Sequence, residues 1–540
     1  VKEDMEAIMA VADAKQLSQI VAQIHMQAGN PLFGVGVSAD LMNSNLNALY
    51  IQQSGLGMGN RDYYLDAANE SIRTAYREYL STIFRLAGLA EEQIPQAVEG
   101  VMHIETSLAE KAWSNVELRN IAAQYNPTPK AEKTYDAIDW AAYYRAMGIG
   151  DFGTIIVTTP TAIARANELL KTAPLEELRY YLAAQYLNAA APYLSDAFQT
   201  ASFEFFGRTM SGQQEQKPRW KRAMAVPNGT LGEAVGEMYV AKYFPEKDKQ
   251  RMTVLVKNLQ TALGEHIDSL TWMSDATKAR AREKLATFTV KIGYPDKWKD
   301  YSTLEIDPAK SYWENIVNAN IWYTEDNISE LGKPVDKAKW HMTPQTVNAY
   351  YNPGSNEIVF PAGILQPPFY DPEGLPVTNL GRIGAVIGHE ITHAFDTSGS
   401  QYDEKGNLRD WWTAEDKQRF KELAARVEAY YDSMEVNGTK VNGTLSVTEN
   451  IADLGGVSCV TEIAKNEGYD LRELYKAYAA LWAGKYRDEY LAYIMTNDVH
   501  SPGIIRVNAV LSATSDFYAA FHVKEGDGMY QEVENRPGIW

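Results

Sequence analysis

The stretch VIGHEITHAFD, Val386–Asp396, places two histidines four residues apart and a glutamate directly after the first. Residues four apart share one face of an α-helix, so the side chains of His389 and His393 point the same way. The apolar residues around them recur at helical spacing on the opposite face. We therefore predict a helix over about 380–396 that packs into a core through five residues: Leu380, Ile383, Ile387, Ile391 and Ala394.

Two imidazoles at this spacing can bind one metal ion. Catalytic zinc sites use three protein ligands and keep one position for water, whose pKa falls to roughly 7. Glu390 projects between the two helix faces, which suits a general base beside the metal. The alternative is a buried helix that contains two hydrogen-bonded histidines.

Two further segments offer the remaining groups. In SVTENIADLGG, Glu449 and Asp453 lie four apart and share a helix face. One can bind the metal while the other orients a ligand histidine. In NDVHSPGIIR, His500 and Arg506 could stabilise an oxyanion and hold the substrate backbone. The alternatives are an exposed acidic face and a structural histidine.

The composition narrows the class of protein. A chain of 540 residues exceeds one hydrophobic core, so two or more domains are expected. The net charge of −19 disfavours nucleic acid as a partner. No apolar run is long enough for a membrane span. Cys459 is the single cysteine, which excludes disulfides and fits either the cytoplasm or a bacterial envelope.

The predicted secondary structure changes along the chain. The first 330 residues are predicted to be mostly amphipathic helices, interrupted at Gln124–Asp136 and Ile292–Pro308. The turn Asn352–Ser355 predicts a β-hairpin, and Pro361 is expected to end its second strand. Thr413 is expected to cap the start of a later helix.

Taken together, five segments closely resemble the neprilysin and endothelin-converting enzyme family of zinc metallopeptidases: VNAYYNP, NEIVFPAGILQPPFY, VIGHEITHAFD, ENIADLGG and DVHSPGIIR. The resemblance extends back through SLTWMSDATKARAREKL and LYIQQSGLGMGNRDYYLD, so it covers nearly the whole chain.

The resemblance implies a role for each matching position. The zinc ligands would be His389, His393 and Glu449, with Glu390 as general base. Asp453 would orient His389, and His500 would stabilise the oxyanion. The substrate backbone would be bound by Asn348 and Ala349 on the edge strand of the hairpin and by Arg506. The residue after the cut would enter an apolar pocket lined by Ile364, Phe369, Val386 and Trp482.

The resemblance also implies an architecture and a substrate class. A mainly α, two-lobed fold is expected, with a thermolysin-like catalytic domain that has a small β-sheet. A second, all-helical domain would enclose a central cavity. The catalytic domain would comprise residues 1–120 and 320–540, and the helical lid 121–319. One Zn²⁺ per chain would serve cleavage of oligopeptides on the amino side of large hydrophobic residues.

The animal members of this family are rich in disulfides, whereas this chain has one cysteine, so a bacterial member is expected. The resemblance implies that it acts outside the cytoplasm, in the periplasm, anchored to the envelope or secreted. A monomer is also expected. Members usually carry a longer N-terminal segment, which in some holds an arginine for the substrate carboxylate. Two other functions remain open at this stage: a protein that binds peptides without cutting them, and a metal-dependent amidase for small non-peptide substrates.

Overall fold

The computed structural model describes residues 1–129 and 131–540. Helices account for 58% of the residues, which confirms the mainly α expectation. The α-helices are α1 Lys2–Met9, α2 Ala14–Gln27, α3 Asp62–Leu65, α4 Glu70–Leu86, α5 Ile94–Ala109, α6 Ala131–Thr134, α7 Trp140–Met147, α8 Pro160–Thr172, α9 Leu175–Ala190, α10 Asp196–Ser202, α11 Arg219–Thr230, α12 Gly232–Tyr243, α13 Glu246–Ser269, α14 Asp275–Ala286, α15 Tyr312–Ser329, α16 Pro376–Asn379, α17 Ala385–Thr392, α18 Ala414–Asp432, α19 Gly443–Asn466, α20 Leu471–Leu481, α21 Asp488–Asn497, α22 Gly503–Ala513 and α23 Ser515–Phe521.

Short helical segments of other types connect or extend these helices. The 3-10 segments are Ala67–Asn69, Glu117–Arg119, Ala122–Gln124, Ala191–Tyr193, His393–Phe395, Gly399–Gln401 and Val533–Asn535. The π-helical segments are Phe203–Thr209 and Leu380–Gly384. The strands are β1 Phe33–Asp40, β2 Asn43–Gln53, β3 Asn126–Pro129, β4 Thr154–Val157, β5 Thr289–Gly293, β6 Tyr350–Asn352, β7 Glu357–Pro361, β8 Glu435–Val436 and β9 Thr439–Lys440.

The chain forms two compact units, each made of separate stretches. Unit 1 comprises Val1–Pro218 and Asp300–Val335, and unit 2 comprises Arg219–Lys299 and Asp336–Trp540. The boundary between Lys299 and Asp300 falls inside the predicted break at 292–308. The other boundaries do not coincide with those expected at 120 and 319, and that division of the chain stays a prediction.

Unit 1 contains a four-stranded sheet in the order β1-β2-β4-β3. The first 330 residues are mostly helical, as predicted, but the four strands of this sheet were not predicted, and β3 and β4 fall within residues 121–319. Asn47, Leu49 and Ile51 are buried at alternate positions, the period of a strand rather than a helix. The predicted linker Gln124–Asp136 contributes β3, which pairs with β4; its residue Lys130 lies outside the described residues.

A buried carboxylate lies in the helical part of unit 1. Glu105 on α5 is fully buried and accepts hydrogen bonds from Tyr64, Tyr76 and Gln185 at 2.6, 3.2 and 2.8 Å. Burial raises the pKa of Glu105 to about 7, and these hydrogen bonds oppose the shift.

Unit 2 has a three-stranded sheet in the order β5-β7-β6, with β6 at an edge. The predicted hairpin is confirmed, because β6 and β7 pair antiparallel across the turn at 353–356 and β7 ends at Pro361. Asn348 and Ala349 directly precede β6 instead of lying within it.

The predicted helix over 380–396 is present and has three parts. A π-helical turn at 380–384 leads into α17, and a 3-10 turn follows at His393–Phe395. All five predicted core residues of this segment are buried. The segment packs against α19 and α13.

Helix caps follow their local sequence. Thr413 accepts a hydrogen bond from the backbone N–H of Asp416 at the start of α18, as predicted. Asn442 does the same for Leu445 at the start of α19. Among the described residues, none of the helices combines the length and the apolar character that crossing a membrane requires.

Candidate metal centre and substrate cavity

Three predicted ligands converge on one point in unit 2. The Nε2 atoms of His389 and His393 lie 2.9 Å apart. From α19, Oε2 of Glu449 lies 3.4 Å from Nε2 of His389 and 3.2 Å from Nε2 of His393. Their geometry would allow the three side chains to hold a metal ion.

The donor set fits zinc. Tetrahedral ligands at about 2.0–2.1 Å from Zn²⁺ would lie about 3.3 Å from each other, close to the separations observed here. Oε2 of Glu449 is buried, and no hydrogen-bond donor among the described residues reaches it with suitable geometry. A buried carboxylate oxygen without a donor is destabilising, and a cation between the three donors would remove that deficit.

Carboxylates orient both imidazoles from behind. Nδ1 of His389 lies 2.7 Å from Oδ1 of Asp453, and Nδ1 of His393 lies 2.5 Å from Oδ2 of Asp396. An ionised carboxylate can only accept, so each Nδ1 carries the proton and each Nε2 keeps a lone pair for the metal. The sequence predicted Asp453 but not Asp396, whose position three residues after His393 was the available signal.

Arg506 on α22 joins the same network. Its Nε and Nη2 donate to Oδ2 and Oδ1 of Asp453 at 2.7 and 2.6 Å, a two-point pair in the interior. Burial would raise the pKa of Asp453, but Arg506 and His389 hold it well below its usual value. The guanidinium also lies 3.8 Å from the centre of the Trp482 ring. Asp453 is therefore fixed from both sides.

His500 approaches the cluster from the segment between α21 and α22. Its Nδ1 lies 2.8 Å from Oδ1 of Asp498, and its Nε2 lies 3.2 Å from Oε2 of Glu449. Burial would lower the pKa of His500, but the contacts with Asp498 and Glu449 outweigh burial and raise it to about 9. Both ring nitrogens then carry a proton at neutral pH, but Nε2 does not meet Oε2 of Glu449 with hydrogen-bond geometry.

A cavity of about 320 Å³ opens beside these groups. It brings together most of the residues that were expected to contact substrate or react with it: Asn348, Ile364, Phe369, Val386, His389, Glu390, Asp453, Trp482, His500 and Arg506. Ala349 is buried and does not lie on the cavity wall.

The cavity also has a wall that the sequence did not predict. Tyr486 and Tyr490 line it with Ile494 of α21. The two tyrosine rings stack with their centres 6.0 Å apart. Tyr490 lies on α21 but Tyr486 precedes that helix, so no helical spacing in YRDEYLAYI indicated the pair.

Comparisons with known proteins agree with this geometry. Residues 1–295 and 348–536 both match peptidase family M13, the first stretch by its N-terminal profile. A neutral endopeptidase of Lactobacillus helveticus is 33% identical over 100% of this chain and 84% of its own length. Endothelin-converting enzyme 1 of Bos taurus is 32% identical over 93% of this chain and 70% of its own length.

A solved structure shares the fold. The crystal structure of the Mycobacterium tuberculosis zinc metalloprotease Zmp1 in complex with an inhibitor superposes with a TM-score of 0.95 at 34% identity. The match covers 100% of this chain and 85% of that one. These matches agree with the peptidase prediction and give no support to a peptide-binding protein or to an amidase for small substrates. The chain therefore belongs to peptidase family M13 and is a zinc metalloendopeptidase, a hydrolase of peptide bonds.

Proposed function

We propose that this enzyme cleaves oligopeptides on the amino side of a large hydrophobic residue and holds one Zn²⁺ per chain through His389, His393 and Glu449. The observation that carries the proposal is the convergence of these three donors within 3.4 Å of one another. Glu390 and His500 lie on the wall of the adjoining cavity. The groups that hydrolysis of an amide requires therefore surround one space.

Each reacting residue has a defined task in this proposal. A zinc ion held by His389, His393 and Glu449 would supply Lewis acidity towards water and the peptide carbonyl. Glu390 takes a proton from the attacking water and passes it to the leaving amine. His500, held at Nδ1 by Asp498, donates from Nε2 to the developing oxyanion, an interaction worth about 3 kcal/mol in the transition state.

The substrate backbone would bind along the hairpin. β6 is an edge strand, which an extended peptide can join through main-chain hydrogen bonds. Asn348 is exposed on the cavity wall beside this edge. Ala349, whose N–H donates to Oδ1 of Asn348 at 2.9 Å, would contact the substrate through its backbone. Arg506 uses Nε and Nη2 for Asp453, so Nη1 remains for a substrate carbonyl.

The apolar part of the cavity would select the residue after the cut. Ile364, Phe369, Val386 and Trp482 line it. Burying a large apolar side chain contributes about 1.5–3 kcal/mol. We therefore expect Phe or Leu at this position to raise kcat/KM about 10- to 150-fold over a small polar residue.

A series of quenched fluorescent peptides tests the reaction and its specificity. The peptides differ only at one position, occupied by Phe, Leu, Ala or Asp, and mass spectrometry of the products locates the cut. Cleavage before Phe and Leu is the expected result. Equal kcat/KM for Phe and Asp would contradict the proposed pocket.

Glu390→Gln tests the general base. We expect this variant to bind one Zn²⁺ per chain, measured by metal analysis, and to lose about 10²- to 10⁴-fold in kcat. Glu462→Gln is the matched control, because Glu462 lies on α19 and pairs with His266 outside the cavity. Wild-type turnover by Glu390→Gln would refute the assigned base. Intact peptide recovered from zinc-loaded wild-type protein would favour the peptide-binding alternative.

We further propose that the enzyme is a bacterial monomer that acts outside the cytoplasm. Its support is the likeness to bacterial relatives and the single cysteine, which makes folding independent of disulfides. Sedimentation at increasing concentration tests the monomer. Cell fractionation with a cytoplasmic marker tests the location.

A further inference from the structure

Lys284, near the end of α14, is a buried cation outside the cluster of metal ligands. Its side chain is 1% exposed. Its Nζ donates to three backbone carbonyls, those of Ala394, Gly399 and Tyr402, at 2.9, 2.7 and 2.7 Å. A buried charge is destabilising unless it is fully paired, and three acceptors match the three N–H donors of an ammonium group.

All three carbonyls belong to residues 394–402, which we call the post-helix loop because this stretch leads away from the last turn of the helical segment that bears both histidines. Ala394 lies in the last turn of that segment, where the free carbonyls of a helix carry partial negative charge. A cation at this end stabilises the helix and fixes the direction in which the chain leaves it.

The post-helix loop returns to the metal centre through Asp396. Oδ1 of Asp396 accepts the N–H groups of Ser398 and Gly399, both at 2.7 Å, while Oδ2 contacts Nδ1 of His393. Gly399 is thus held at its N–H by Asp396 and at its carbonyl by Lys284. A Cβ on Gly399 would lie 1.8 Å from the carbonyl oxygen of His393, so the loop folds tightly against the helix end.

Burial lowers the pKa of Lys284 to about 7, although Asp396, Asp403 and Glu404 oppose that shift. The three carbonyl acceptors around Nζ nevertheless match the three N–H donors of the charged form. Aromatic rings within 6 Å of an ammonium group attract it through their π-electrons. Three rings enclose Nζ at 5.8–5.9 Å: Tyr351, Phe395 and Trp411.

Lys284 also contacts the hairpin. Its carbonyl oxygen accepts a hydrogen bond of 3.0 Å from Nδ2 of Asn356, the residue directly before β7. One residue of α14 therefore fixes the hairpin through its backbone and the post-helix loop through its side chain.

We propose that Lys284 is a positioning residue for the metal centre. By holding the post-helix loop, it keeps Asp396 against Nδ1 of His393 and so keeps the lone pair on Nε2 directed at the metal. This inference rests on the proposed ligand set, because it concerns how one of those ligands is oriented.

Lys284→Met tests the proposal, because Met has a similar length but neither the charge nor the donors. The Zn²⁺ affinity of the folded protein is measured by competition with a chromophoric chelator, well below the unfolding temperature. We expect the Kd to rise at least tenfold. The visible absorption of the Co²⁺-loaded protein should change as well, since it reports the geometry of the ligands.

Leu285→Ala is the matched control. Leu285 neighbours Lys284 on the same helix and is buried, but it makes no hydrogen bond to the post-helix loop through its side chain. We expect this variant to lower the unfolding temperature and to leave the Zn²⁺ affinity within twofold of wild type. If Lys284→Met behaves like Leu285→Ala, the lysine only stabilises the fold and the proposal is wrong. Lys284→Gln, which keeps two donors, replaces Lys284→Met if the latter does not fold.

A double variant tests whether Lys284 acts through Asp396. In an Asp396→Ala background, Lys284→Met should have little further effect on Zn²⁺ affinity. Full additivity would overturn the proposed route. His393→Ala separates the two proposals. If this variant binds Zn²⁺ as wild type does, the proposed ligand set is wrong. If it loses Zn²⁺ binding while Lys284→Met keeps the wild-type Zn²⁺ affinity, only the inference about Lys284 is refuted.

Discussion

We expect Asp396→Asn to impair the metal centre although it changes one oxygen into an NH₂ group. In the structure, Oδ1 of Asp396 accepts the N–H groups of Ser398 and Gly399, and Oδ2 faces Nδ1 of His393 at 2.5 Å. The two N–H groups need an acceptor, so the amide oxygen should stay with them and the NH₂ should face the imidazole. Nδ1 must then accept, which moves the proton of His393 to Nε2, the atom that should bind the metal.

The size of the effect follows from the bond that is lost. A hydrogen bond to a charged group contributes about 1.5–3 kcal/mol. Since each 1.4 kcal/mol is about tenfold in affinity, the Kd for Zn²⁺ should rise about 10- to 150-fold. Losses of 10- to 100-fold are typical when the partner of a metal-bound histidine is removed. Competition with a chelating dye measures this Kd, and kcat at saturating Zn²⁺ shows how much activity returns.

Asp416→Asn is the control for this experiment. Asp416 is also a buried carboxylate of unit 2, and it accepts hydrogen bonds from the N–H of Ser274 and the hydroxyl of Thr277 without contacting an imidazole. We expect its Zn²⁺ affinity to stay at the wild-type value. If Asp396→Asn also bound Zn²⁺ within twofold of wild type, the tautomer of His393 would not depend on Asp396, and our reasoning would be refuted.

Three other predictions concern metal, the arginine pair and pH. Chelation should abolish turnover and lower the unfolding temperature, and Zn²⁺ at 1,000 times its Kd should restore about 4 kcal/mol of stability. Differential scanning fluorimetry measures the unfolding temperature, and a value unchanged by chelation would contradict the prediction. Arg506→Met removes the cation that pairs with the buried Asp453 and leaves it only the contact with His389, so urea denaturation should show a loss of about 3–5 kcal/mol. A wild-type midpoint would argue against the pair. Burial raises the pKa of Glu105 to about 7, above its value in the unfolded chain, so the folded state binds the extra proton and stability falls as pH rises towards 7. The fall in stability should reach about 3 kcal/mol, and Glu105→Gln should abolish it. Urea denaturation between pH 5 and 8 measures this. A pH dependence that persists in Glu105→Gln would show that the cause lies elsewhere.

Features that depend on local spacing were predictable from the sequence. The four-residue interval between His389 and His393, and again between Glu449 and Asp453, determines which side chains share a helix face wherever the helix lies in the fold. The turn before β7 and the cap at Thr413 are likewise local, and the structure confirms both. The prediction that both helices contribute to one cluster came from the combination of residue types, because two histidines and a glutamate match the ligands of a catalytic zinc site.

Features that depend on contacts between distant segments were not predictable. Lys284 lies in the charged run KARAREKL, which by composition indicates a solvated helix, yet its side chain is buried. The carbonyls that it binds lie more than a hundred residues further along the chain. The strands over 33–53 were also missed, because their glycines and polar residues hide the alternation of buried positions. In both cases tertiary packing outweighs the local pattern.

The two motifs also contain residues that react with nothing but determine the distance between the helices. A Cβ on Gly388 of α17 would lie 2.9 Å from Cα of Gly456, and one on Gly456 would lie 2.8 Å from the backbone nitrogen of His389. No side chain fits at this crossing, so the backbones of α17 and α19 touch directly. Glu449 precedes Gly456 by seven residues, which is two helical turns and therefore the same face of α19. The carboxylate of Glu449 reaches the two imidazoles because the helices cross this closely. Any larger residue at Gly388 or Gly456 would push apart the three donors that we propose as metal ligands.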